Sequence, residues 1–142
     1  ADGFYAQGQM RSAAEALERC IAAARNAGAA SVEIANRPMA ALAECYMMRL
    51  DAVRDMAEVA RVMARQARHP RPELIALHGL IVAAMESNRP QDGLPHVDRA
   101  RAIVAELGAW RFEAENVIFG AEVQALARLA GPGADKAREA VV

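Results

Sequence analysis

The residues able to carry out chemistry are few, and the spacing of the histidines tests whether any of them binds a metal. His69, His78 and His96 fall in three different predicted elements. None has a second His, Cys or carboxylate at i+3 or i+4 in a known ligand pattern. The sequence therefore predicts no metal site. His78 is expected either to line a surface groove or to pack in a core with one nitrogen satisfied.

A second candidate is the segment GPGADK at 131–136, in which two glycines and a lysine precede a predicted helix. Its spacing departs from that of a phosphate-binding loop, and Ala137 stands where the hydroxyl residue belongs. The segment is predicted to be a turn that ends a helix. Gly-x-Ser-x-Gly, His-Glu-x-x-His and paired Cys-x-x-Cys motifs are also absent from the sequence. We therefore expect no catalytic residues and no cofactor.

A row of arginines is the third candidate. At 100° per residue these side chains fall within about 60° on one face of a predicted helix: Arg54, Arg61, Arg65 and Arg68. An acidic peptide or a phosphate backbone could use such a row. Glu58 lies among them, which favours a solvated and partly self-paired face. The net charge of −1 and the pI near 6.4 also predict no field that attracts nucleic acid or anionic lipid.

The composition favours helices throughout the chain. Hydrophobic residues make up 54% of the 142 residues and aromatic residues only 4%, and no stretch alternates β-branched with polar residues. An all-α protein is predicted. No apolar run approaches the roughly 20 residues of a membrane span, so a soluble protein without membrane contact is expected. Cys20 and Cys45 each fall on an apolar helical face and are expected to be reduced, buried thiols in a cytoplasmic protein.

The elements that would position these residues recur along the chain. The pattern of residues 8–28 returns three times, at steps of 43, 37 and 44 residues, a mean near 41. We expect helix hairpins at about 1–28, 31–69, 72–108 and 109–142 in a single repeat domain. Gly8 is predicted to form the first turn and Gly28 to end the helix after it.

Local signals set the other expected boundaries. Ser31 is predicted to cap the next helix. Pro38 leaves two alternatives: the helix bends there, or it begins at about Arg37 with the proline at its first position. The following helix is predicted to end before the HPRP segment at 69–72. The helix after that is expected to begin at Pro72. Asp92 is predicted to cap its successor.

One segment carries a resemblance to a known family. Met39-x-x-Leu42-Ala43-x-x-Tyr46 resembles the first-helix pattern of the tetratricopeptide repeat, a large residue, Leu, a small residue and Tyr. The closing Pro of that repeat is missing, and a period near 41 exceeds the standard 34. The resemblance implies a right-handed α-solenoid of stacked antiparallel hairpins, with the first helices lining a concave groove. The arrays that follow the nucleotide-binding modules of LuxR-type activators and class III cyclases in bacteria look similar.

The resemblance also implies which side chains face that groove. Projected onto this sequence they are Tyr5, Glu44, Met47, Met48, Ile75, His78, Val82, Met85 and Glu86. We expect a non-catalytic regulatory module that binds a protein, a peptide or another domain of the same protein. The alternative is a sensor array that binds a small molecule in the groove. The chain opens and closes inside predicted helices, which suggests a fragment of a longer protein, and its exposed repeat ends predict self-association.

Overall fold

The helices account for almost all of the chain that the structure describes. The computed structural model describes residues 2–107, and within them the side chains of residues 8–107. The helices are α1 (Asp2–Asn26), α2 (Ala30–Tyr46), α3 (Leu50–Gln66), α4 (Pro70–Glu86) and α5 (Leu94–Leu107), with a 3₁₀ turn over Pro90–Gly93 before α5. Residues 2–107 contain no strand. The all-α prediction is confirmed for this part of the chain.

The turns that end α1 to α4 share one geometry. Gly28, Met48, Arg68 and Asn88, each 20 residues after the last, adopt positive φ between 57° and 70°. At each turn the next amide donates to a carbonyl five residues earlier, at 2.8–3.1 Å; at the first turn this is Ala29 N to Ala24 O. This is the Schellman arrangement that closes helix C-termini. A unit of 17 helical and three linking residues thus repeats over α2, α3 and α4.

The chain divides into two compact units, Ala1–Gly79 and Leu80–Val142. In the first unit α2 packs against both α1 and α3. Its core is made mainly of small residues, such as Ala14, Ala40 and Ala57. Gly79 of α4 packs closely on α3, because a Cβ at that glycine would lie 3.6 Å from Ala57 Cβ and 3.7 Å from Val53 Cγ1. Small residues let the helix backbones approach one another closely.

The described part of the second unit buries several larger apolar side chains. Leu80, Ile81, Val97 and Ile103 are all buried there. Pro95 lies in the first turn of α5, where no backbone donor is needed. The prediction that Asp92 caps this helix is wrong, because Asp92 lies inside the 3₁₀ turn and α5 begins only at Leu94. Asp92 Oδ2 pairs instead with Arg89 Nε at 2.9 Å.

Two predicted features at the start of the chain are wrong. Gly8 does not form a turn, because it lies within the continuous helix α1 and residues 1–28 are not a hairpin. A single glycine is tolerated in a helix when its neighbours favour the helix. Ser31 does not cap α2, since Ala29 holds the capping position without a side-chain hydrogen bond.

Two further boundaries are corrected or decided. Pro38 is fully buried inside α2, which begins at Ala30 and not near Arg37. α4 begins at Pro70, two residues before the predicted Pro72. Both prolines then lie in the first turn of α4, where their missing amides cost no hydrogen bond.

Gly28 ends α1 in the left-handed conformation with φ 70°, which confirms the prediction made for that glycine. The predicted helices of residues 109–142 and the turn at 131–136 lie outside the described residues.

Candidate docking face on the second helix

The charged side chains of α2 point toward its neighbours instead of toward water. This helix contains only three charged residues, Glu33, Arg37 and Glu44. Both glutamates are buried. The Arg37 side chain is 17% exposed, and its Nη2 lies 2.6 Å from Glu33 Oε2. Arg25 of α1 approaches the same oxygen at 3.8 Å. A buried carboxylate requires such partners, since its desolvation is costly without them.

The opposite side of α2 is apolar and open to solvent. None of the exposed residues of α2 is charged. They are Ala30, Ser31, Val32, Ala35, Met39 and Tyr46. Met39 is 40% exposed and Tyr46 65%, while Leu42 between them is half-buried. We define the outer face of α2 as Val32, Ala35, Met39, Leu42 and Tyr46. These five residues follow one another at steps of three and four, so they form one continuous stripe.

The segment that carried the family resemblance therefore does not form a buried face. Of Met39, Leu42, Ala43 and Tyr46, only Ala43 is buried. The buried side of α2 is formed by a different set: Glu33, Ile34, Pro38, Ala40, Ala41, Ala43, Glu44 and Cys45. A contiguous exposed apolar stripe is a feature of surfaces that bind a partner.

The neighbouring helix α3 has the ordinary arrangement and makes the contrast clear. Its buried residues are all apolar: Val53, Ala57, Ala60 and Ala64. Its exposed side carries five charged residues: Asp51, Arg54, Asp55, Glu58 and Arg65. Two helices of the same 17-residue length, packed side by side, thus have opposite distributions of charge.

The predicted self-pairing of the arginine row is confirmed for two of its members. Arg54 Nη2 lies 3.5 Å from Asp51 Oδ1, and Arg61 forms a two-pronged pair with Glu58. The hydrogen bonds that Arg61 donates to the Glu58 carboxylate raise the pKa of Arg61 above its ordinary value. Arg68 does not share this face, because α3 ends at Gln66 and Arg68 lies in the following turn.

Glu44 occupies an exceptional place in the pattern of turns. The carbonyl that accepts the long Schellman bond belongs to Ala24, Ala64 and Ala84 in the other three helices, and to Glu44 in α2. Glu44 is only 4% exposed. Its Oε2 lies 3.1 Å from Arg49 Nε, but the two groups are not aligned for a hydrogen bond and the oxygen accepts none. A carboxylate therefore sits where the repeated geometry elsewhere accommodates a methyl group.

The predicted groove residues differ in their exposure. Glu44 does not face an open groove, because it is buried against its neighbours. Met48 is exposed in the turn after α2, and Met47 is half-buried beside it. Ile75, His78, Val82 and Met85 are half-buried along α4 and Glu86 is exposed. Tyr5 belongs to α1, and its side chain lies outside the described set. That these residues line one groove stays a prediction.

Sequence reasoning does not single out the outer face of α2 as exposed. Its apolar spacing was visible, but the same spacing is expected of a buried stripe. The charges do not distinguish the two either, because all three charged residues of α2 fall on the other side of the helix, as they do in an ordinary helix that buries its apolar side.

The remaining reactive groups are the cysteines and the residue types that could hold a metal ion. Neither cysteine forms a disulfide; Cys45 is buried and Cys20 is exposed, so the prediction that both are buried is wrong for Cys20. Residues 8–107 bring together no group of three His, Cys, Asp or Glu side chains able to hold a metal ion. No helix between residues 2 and 107 is both long and apolar enough to cross a membrane.

Comparison with known proteins gives no relative from which to assign this face. The chain matches no protein-family model, no curated protein and no solved structure.

Proposed function

We propose that this chain is a non-catalytic interaction module that binds a polypeptide, or another domain of the same protein, on the outer face of α2. The observation that carries the proposal is the inverted charge distribution of that helix. Glu33, Arg37 and Glu44 are withdrawn from water while Met39 and Tyr46 remain in it. A partner that covers this face removes its apolar side chains from water. Each large apolar side chain that becomes fully buried in this way contributes about 1.5–3 kcal/mol to the free energy of binding.

The recurring turns support a regular scaffold beneath this face. Helix-and-turn units of 20 residues, packed side by side, are consistent with a tetratricopeptide-like stack of hairpins. Such a stack presents one face of a helix without requiring any catalytic residue. The groove residues Met47 and Met48 lie at the C-terminal end of α2, next to Tyr46, and would extend the contact in that direction.

The test uses a displayed library of random 20-residue peptides selected against the immobilised chain. We expect the selected peptides to be rich in apolar residues and to bind at least about tenfold more weakly to Met39→Lys, because a lysine there would be buried without a partner. Peptides that bind Met39→Lys as well as the native chain would place the interaction elsewhere.

The matched control is Val59→Lys on α3. Val59 is 46% exposed, close to the 40% of Met39. Both residues are the tenth of a 17-residue helix. The two substitutions therefore add the same charge at the same helical position with similar exposure. Val59→Lys is expected to keep peptide binding within about twofold of the native chain, because a charge on the outer side of α3 joins others already there.

A further inference from the structure

The outer face of α2 has the spacing of a coiled-coil seam. Its residues at 32, 35, 39, 42 and 46 follow the alternation of three and four that places a and d positions on one side of a helix. The exposed side of α3 carries five charged residues and offers no such apolar seam. The outer face can instead pair with the same face of a second copy.

Four residues of the seam are symmetric about a point between positions 40 and 41. Ala35 and Tyr46 are equally distant from that point, and so are Met39 and Leu42. A two-fold axis through this point would pair two antiparallel copies of α2 so that Ala35 meets Tyr46 and Met39 meets Leu42. Such a contact is isologous, with the same patch on both copies. It also sets the smallest residue of the seam against the largest, as close packing requires.

The charges allow this pairing as well. Because no exposed residue of α2 is charged, two copies meet without like-charge repulsion and without desolvating an unpaired charge. Asn36, at the edge of the seam, already donates from Nδ2 to the carbonyl of Val32 at 2.8 Å. One of its two amide N–H groups is therefore satisfied without any contact from a second copy.

We infer that the occupant of the outer face of α2 is a second copy of this chain, paired antiparallel through Ala35, Met39, Leu42 and Tyr46. The inference rests on the proposed function, because it fills the same surface, and it names the polypeptide that binds there. The contact is small, with four side chains from each copy. It belongs to the weak class of interfaces, and half-association is expected at a concentration on the order of 0.1 mM.

Sedimentation velocity of the full chain between about 5 µM and about 0.5 mM tests the inference. The native chain is expected to shift from monomer to dimer across this range. Met39→Lys and Leu42→Glu, each alone, are expected to stay monomeric, since each homodimer would bury two unpaired charges. The control Val59→Lys should associate as the native chain does. Circular dichroism is the control that checks whether every variant keeps its helical content.

An equimolar mixture of the two monomeric variants tests the antiparallel register. Only in that register does the new lysine of one copy face the new glutamate of the other, while the remaining Leu42 and Met39 pair as before. We expect the mixture to form a heterodimer that neither variant forms alone. A native chain that stays monomeric at about 0.5 mM would overturn the inference, as would a dimer that survives Met39→Lys or a mixture that fails to associate.

The peptide selection separates this inference from the proposed function. Peptide binding that depends on Met39, together with a monomeric native chain, would leave the α2 face as a binding surface and overturn the second copy as its occupant. Loss of both results would overturn the two proposals together.

Discussion

Replacing two glycines by alanine, one at a time, tests where the first helix begins and ends. Gly8 lies inside α1 with nothing within 4 Å of the position a Cβ would take. Gly28 is equally open, but it has φ 70°. The same methyl group is therefore added in open space at both positions. Only the backbone conformation differs, so packing contributes to neither result.

The two substitutions are expected to act in opposite directions. Gly8→Ala should stabilise the fold by about 1 kcal/mol, because alanine favours the interior of a helix by that amount over glycine. Gly28→Ala should destabilise it by about 1 kcal/mol. Alanine restricts the unfolded chain, which favours folding, but the left-handed conformation is unfavourable for an L-residue by a larger amount. The free energies of unfolding of the two variants should then differ by about 2 kcal/mol, or about 6 °C in melting temperature for a chain of this size.

Urea unfolding followed by helical circular dichroism measures both variants against the native chain. If residues 1–28 formed a hairpin with its turn at Gly8, alanine would be unfavourable at both glycines. A loss of stability in Gly8→Ala as large as that in Gly28→Ala would therefore refute the continuous helix. An unchanged Gly28→Ala would refute the positive φ at the first turn.

Three further substitutions can be measured in the same unfolding assay. Gly79→Ala should stabilise the fold by about 1 kcal/mol, because the new methyl would meet Ala57 at an ordinary contact distance of 3.6 Å; destabilisation would mean that the helices cannot accept it. Met48→Gly should raise the free energy of unfolding by about 1 kcal/mol, because glycine adopts the positive φ of 57° in the second turn without strain. A loss of stability would show that the Met48 side chain contributes more to the fold than its exposure implies. Glu44→Ala should be neutral or stabilising by about 1 kcal/mol, because Arg49 is 52% exposed and remains hydrated without its partner. A loss of more than about 1 kcal/mol there would show that the ion pair stabilises the turn.

Several features of this fold could be predicted from the sequence because their physical cause is local. The all-α class follows from alanine richness and from apolar spacing near 3.6 residues. The end of α1 at Gly28 follows from the one residue that adopts positive φ without steric cost. The self-paired arginines of α3 follow from carboxylates three residues away on the same face. Each of these signals is contained within one or two turns of helix.

Gly8 and the other ends of helices show where local signals are ambiguous. An isolated glycine is compatible both with a turn and with a helix interior. Gly8 lies in a helix interior because it belongs to the long helix α1, which packs on α2. Met48 and Arg68 end their helices in a conformation that neither residue type favours. The HPRP segment predicts that α3 ends before residue 69, as it does at Gln66, but the sequence does not show that Met48 and Arg68 adopt positive φ, because the close packing of successive helices imposes that conformation.

The outer face of α2 was decided only by the tertiary structure. In a helix as rich in alanine as this one, apolar residues lie on both sides, so their spacing does not say which side is buried. The side is selected by partners distant in sequence or across a turn: Arg25 reaches Glu33 from α1, and Arg49 reaches Glu44 from the turn before α3. Those ion pairs make it possible to bury the charges of α2. Met39 and Tyr46 are left exposed to solvent because they lie on the side of the helix that neither α1 nor α3 covers.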